Sequence, residues 1–163
     1  RRIADGETVQ FGDAEAVCIT TPGHTPDSVC YRVGDALFAG DHIMGGSTVV
    51  VEDMSDYLNS LRKLGETGID VLYPGHGPII DAPDSVIASY IEHRMERERQ
   101  ILSALRGGSD SVGSVVSNVY RDVDPSLHPL AAVSVMAHLE KLRREDLVSV
   151  DEEPTWDSRV TLR

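Results

Sequence analysis

Apolar and polar positions alternate with a period of two along the first forty residues. They then switch to helical spacing. "ETVQFGDAEAVCIT", residues 7 to 20, reads as two short strands meeting at a Gly12–Asp13 turn. "VCYRVGDALFAG", residues 29 to 40, reads as a hairpin with Gly34–Asp35 at its tip. Leu58, Leu61 and Leu64 recur at helical spacing. Ser55 is placed to cap that helix, Asp56 suits its first turn, and Gly65 is placed to end it. Ile69 to Tyr73 reads as a buried strand running into the tight turn "PGHGP".

The pattern changes near residue 82. From Asp84 to Arg106 it is helical throughout, capped by Asp84 or Ser85 and ended by Gly107–Gly108. A short helix is expected within "SVGSVVSNVY" and another from about Pro129 to Arg144. Two short β-like pieces then flank a polar turn. Helices followed by a small hairpin describe a winged-helix module. The expected division is residues 1–82, a sheet-and-helix domain, and residues 83–163, a helical winged-helix-like domain; the fold class is α/β.

The chain has 163 residues, enough for one domain or two small ones, and carries a net charge of −12. That acidity disfavours non-specific contact with nucleic acid. No apolar run is long enough to span a bilayer, so no membrane partner is expected. Cys18 and Cys30 both sit in apolar stretches and read as buried thiols, in keeping with a reducing cytoplasmic setting.

Three loops follow three strand-like segments, and each offers a metal-ligand type: His24 in "TPGHT", Asp41 in "AGDH" and His76 in "YPGHG". Imidazole and carboxylate suit zinc, manganese or iron. Flanking Gly and Pro let the backbone turn sharply there. His42 follows Asp41, and strand alternation points it to the other face. His93 is expected at the surface or in a packing contact, His128 in a turn, and His138 at an interface or the surface. The charges of "EHRMERER" are expected on a solvated helix face, and the mixed signs of "EKLRRED" favour solvation over phosphate contact.

"TPGHT", "GDH" and "PGHG", in this order, resemble three successive motifs of the metallo-β-lactamase superfamily. "YIEHRMERERQIL" and the tail resemble its β-lactamase-like-protein-2 branch, which appends a winged-helix-like domain. The resemblance implies an αββα sandwich, of which this chain would be the C-terminal half. It also implies metal-dependent hydrolysis by a metal-bound hydroxide, with two zinc ions: His24 on one, His76 on the other, Asp41 bridging. The implied substrates are phosphodiesters such as single-stranded RNA, or a thioester as in glyoxalase II. No two of the six histidines are separated by one residue, so the superfamily's His-x-His-x-Asp-His motif is absent. The expectation is therefore a fragment of a longer hydrolase, inactive alone and prone to self-association through uncovered sheet, or a non-catalytic self-associating module.

Overall fold

The computed structural model describes residues 3–163, which form two compact units, one ending at Ile91 and the other starting at Glu92. In the first unit, β1 (Thr8–Phe11), β2 (Ala14–Thr20), β3 (Val29–Val33) and β4 (Ala36–Gly40) form an antiparallel meander. The turns fall at the Gly–Asp pairs expected from sequence. Helix α1 (Met54–Gly65) then carries the chain across to β5 (Val71–Pro74), which pairs parallel with β4 in the sheet order β1-β2-β3-β4-β5. A parallel pair needs such a crossover.

This topology fixes where chemistry can gather. β2 and β4 are both antiparallel to β3, and β5 is parallel to β4. β2, β4 and β5 therefore end at the same edge of the sheet, and the loops bearing His24, Asp41 and His76 follow those three ends.

α1 buries Met54, Tyr57, Leu58, Leu61 and Leu64, one stripe at helical spacing. Its N-cap is Asp53, not Ser55: the Asp53 carboxylate accepts the Asp56 N–H at 3.0 Å, and Ser55 lies within the first turn. Starting two residues early lets Met54 join the core. Cys30, Leu37 and Leu72 point to one face of the sheet and are fully enclosed. On the other face Phe38 and Tyr73 remain 46% and 36% exposed, stacked with ring centroids 5.1 Å apart.

Helix α2 (Pro83–Arg106) begins in the first unit, and its residues from Glu92 belong to the second. There α3 (Val112–Val119), a 3₁₀ turn (Pro125–Leu127), α4 (His128–Arg144) and the antiparallel pair β6 (Val148–Ser149) and β7 (Thr161–Leu162) complete the fold. Ser111 and Ser114 cap α3 reciprocally. Ile101, Val115, Val135, Leu139, Leu142 and Val148 form the centre of the core.

Two expectations for this unit are corrected. Arg94 and Glu98, read as solvated, are 3% and 8% exposed, because the stripe of Ile101 and Leu105 continues back along α2 through them. His138 is not at the surface: it lies in the α4 stripe with Ala131, Val135 and Leu142 and is fully enclosed. The Glu98 carboxylate accepts from Lys141 Nζ at 2.8 Å and lies 3.8 Å from His138 Nδ1. Burial holds the His138 imidazole below its ordinary pKa, while Glu98 pulls the other way. Glu98 itself is held below the usual carboxylate range; burial opposes this, and the nearby His138 together with the Lys141 ammonium outweighs it.

Candidate metal centre

Asp41 and His76 emerge side by side because their strands pair in parallel register, Gly40 opposite Pro74. Asp41 Oδ1 and His76 Nε2 are 3.5 Å apart, with side chains 40% and 71% exposed. The loops are stitched edge to edge: Gly75 N–H donates to Gly40 O at 2.6 Å, and Gly45 N–H donates to His76 O at 3.0 Å. Gly77 holds φ +88°, and a Cβ there would meet Gly45 O at 2.0 Å. Only glycine allows both the left-handed backbone and that approach.

His24 sits on the loop after β2. Gly23 holds φ +130°, and its missing Cβ would lie 2.4 Å from the backbone of Tyr57. Gly23 O accepts Glu52 and Asp53 N–H, which ties this loop to the start of α1. His24 Nδ1 lies 2.7 Å from Val50 O. A carbonyl only accepts, so Nδ1 carries the proton and the neutral ring keeps its lone pair on Nε2. That outer-shell arrangement is typical of a metal-ligating histidine.

His42 has left the strand alternation, since β4 ends at Gly40 and His42 N–H closes a turn on Ala39 O at 3.1 Å. Its ring packs 4.7 Å from that of Tyr57, whose hydroxyl donates to His42 O at 2.9 Å. The residue is 2% exposed, and neither ring nitrogen has a hydrogen-bond partner among the described residues. Burial, with the nearby His24 adding to it, pushes its pKa down to about 4. Tyr90 opens the "YIEHRMERERQIL" stretch, but sequence reasoning gives it no role. Its hydroxyl accepts Met44 N–H at 3.1 Å and faces the carbonyls of Met44 and Ser47 at 2.9 and 2.5 Å. An aromatic residue on a charged helix gives no sequence signal for that role.

The donors fit a metal in kind, two imidazoles and a carboxylate, and His24 fits in orientation. As a set they are incomplete. Among the described residues, no three His, Cys, Asp or Glu side chains come together around a point that could hold an ion. Asp41 and His76 pair directly, and four ligands per zinc are not present. No helix of the described residues is long and apolar enough to cross a membrane.

Residues 1–76 match the metallo-beta-lactamase superfamily, and residues 111–156 match the beta-lactamase associated winged helix domain. The chain is 39% identical to a "Beta-lactamase-like protein 2 homolog" of Caenorhabditis elegans, over 90% of this chain and 50% of that protein. It is 37% identical to an "Atrochrysone carboxyl ACP thioesterase" of Aspergillus chevalieri, over 74% of this chain and 42% of that protein. A metallo-beta-lactamase family protein of Thermus thermophilus shares the fold, with a TM-score of 0.82 at 23% identity, covering 99% of this chain and 54% of that one. The chain thus spans about half the length of the curated relatives it matches. With both parts matched in order, and with His24, Asp41 and His76 brought to one sheet edge, the chain belongs to the metallo-β-lactamase superfamily, in its β-lactamase-like-protein-2 branch.

Proposed function

We propose that this chain forms one side of the metal centre of a hydrolase, with His24, Asp41 and His76 as donors to zinc. The observation that carries this reading is the meeting of Asp41 Oδ1 and His76 Nε2 at 3.5 Å on adjacent parallel strand ends. The Val50 carbonyl leaves His24 Nε2 free to join them. When bound, zinc supplies a Lewis acid and a hydroxide at neutral pH. The chain's own part is to hold donors. His24 is fixed in one tautomer, and Asp41 is held against the 74–78 turn. The remaining donors come from outside this set, so the chain alone is inactive.

Two substrate classes follow. A thioester is favoured by the thioesterase among the relatives and by the net charge of −12, which repels polyanions. A phosphodiester such as single-stranded RNA follows from the resemblance to the β-lactamase-like-protein-2 branch. We also propose that the chain self-associates through its open sheet face, where Phe38 and Tyr73 stack.

The first test is titration with Co²⁺, a spectroscopic stand-in for zinc. His24→Ala, Asp41→Asn and His76→Ala each weaken binding, whereas His93→Ala on the exposed face of α2 does not. Parent-like binding by all three site variants would sink the metal reading. Substrate class is then decided in a chimera joining this chain to the portion of the nematode relative that it does not cover. Thiol release from an acyl thioester and cleavage of a labelled single-stranded RNA are measured side by side.

A further inference from the structure

We infer that Tyr90, on α2, is a positioning residue for His76. The inference rests on His76 being a metal donor and extends that reading to how the donor is held. The contacts run in one continuous line. The Tyr90 hydroxyl meets three backbone atoms of the segment after Asp41: it accepts Met44 N–H at 3.1 Å, and its single proton is shared between Met44 O at 2.9 Å and Ser47 O at 2.5 Å. Gly45 lies inside the segment so clamped. Its N–H donates to His76 O at 3.0 Å, and its carbonyl fills the space beside Gly77 where a Cβ would sit 2.0 Å away.

The segment from Met44 to Ser47 has neither helix nor strand to hold it. Met44 N–H and the carbonyls of Met44 and Ser47 bond Tyr90 on one side, and Gly45 N–H bonds His76 on the other. His76 itself is 71% exposed, so its surroundings do little to fix its side chain. The place of its peptide is set by Gly45, and the place of Gly45 by the phenol. Removing one hydroxyl oxygen therefore releases the far end of the line while leaving the ring of Tyr90 to pack.

The test compares Tyr90→Phe with Thr67→Val, each of which deletes one hydroxyl. Thr67 Oγ1 donates to Leu64 O at 2.6 Å at the opposite end of α1 from the His24 loop, so its loss serves as a purely structural control. Two readouts are taken on the full 163-residue chain: Co²⁺ affinity from the visible spectrum, and amide hydrogen exchange at Gly45. Tyr90→Phe is expected to weaken Co²⁺ binding about tenfold, in the range of outer-shell substitutions, and to speed Gly45 exchange about tenfold. Thr67→Val is expected to change neither. Equal Co²⁺ affinity for parent and Tyr90→Phe overturns the inference while leaving the metal reading intact. If the parent binds no Co²⁺ at all, the proposed function falls, and Gly45 exchange alone decides whether Tyr90 holds the loop. Unchanged exchange there overturns the inference by itself.

Discussion

Gly75→Ala probes the contact between the 74–78 turn and Asp41. A Cβ at residue 75 would lie 2.6 Å from Asp41 Oδ1 and 3.0 Å from the carbon and oxygen of Gly40. A carbon–oxygen contact settles at roughly 3.4 Å, so the new methyl is too close to the carboxylate by nearly an ångström. The turn cannot simply back away: Gly75 N–H is bonded to Gly40 O at 2.6 Å, and Gly45 N–H to His76 O at 3.0 Å. The Asp41 side chain is 40% exposed and can rotate toward solvent. Overpacking of this kind costs about 1–3 kcal/mol, and the freedom of Asp41 puts the expected loss near the lower end. The rotation also breaks the 3.5 Å meeting with His76, so Co²⁺ binding falls by about tenfold or more. Urea unfolding and Co²⁺ titration on the same preparation separate the two effects. Parent-like stability together with parent-like Co²⁺ affinity would show that the turn does not rest on Asp41, and the geometry drawn for the centre would be wrong.

Other outcomes follow from features of each unit. His42 and His138 are held neutral by burial, so below the ordinary histidine pKa of 6.5 the unfolded chain takes up protons that the native chain refuses. Stability therefore falls as pH falls through 6.5. His42 contributes down to its native value of about 4, a range worth about 3 kcal/mol. Urea midpoints between about pH 7.5 and 5 check this, and a flat profile would contradict the burial of both rings. His42→Phe removes a buried imidazole without partners among the described residues, so it should leave stability at neutral pH unchanged or raised while flattening part of that slope; a large loss would mean that the nitrogens are bonded. Gly65→Ala places a methyl in ordinary contact, 3.7 Å from Ile87 Cγ2, at the end of α1. It should raise stability by about 0.5–1 kcal/mol in the same unfolding assay. In sedimentation velocity the chain should form dimers that Phe38→Glu disperses; a monomer at every concentration would remove the self-association proposal.

Much of the first unit was legible because its signals are local. Period-two alternation marked β1 to β4, Gly–Asp pairs marked two turns, and glycine and proline marked the loops of His24 and His76. The shared edge onto which the loops of His24, Asp41 and His76 open was not legible from local pattern. It depends on β5 pairing parallel to β4, a non-local contact that came only through the family resemblance. In the second unit the charged stretch of α2 misled, because charge reads as solvent exposure. Yet Arg94, Glu98, Ile101 and Leu105 stand at i, i+4, i+7 and i+11, a stripe that periodicity reveals once charged residues are allowed to be buried in pairs. Ser55 and Asp53 are both good caps, and only the burial of Met54 chooses between them.

The close approaches at Gly23 and Gly77 set a pattern for mutational tolerance. Any side chain at either position would fall within 2.4 Å of backbone atoms of another loop or helix. In a library scored only for folded protein, these two glycines should admit almost no replacement, while His24 and His76, which the core does not need, should vary freely. A library scored for metal retention should turn the histidines invariant as well. The difference between the two maps would separate the residues that build the edge from those that use it.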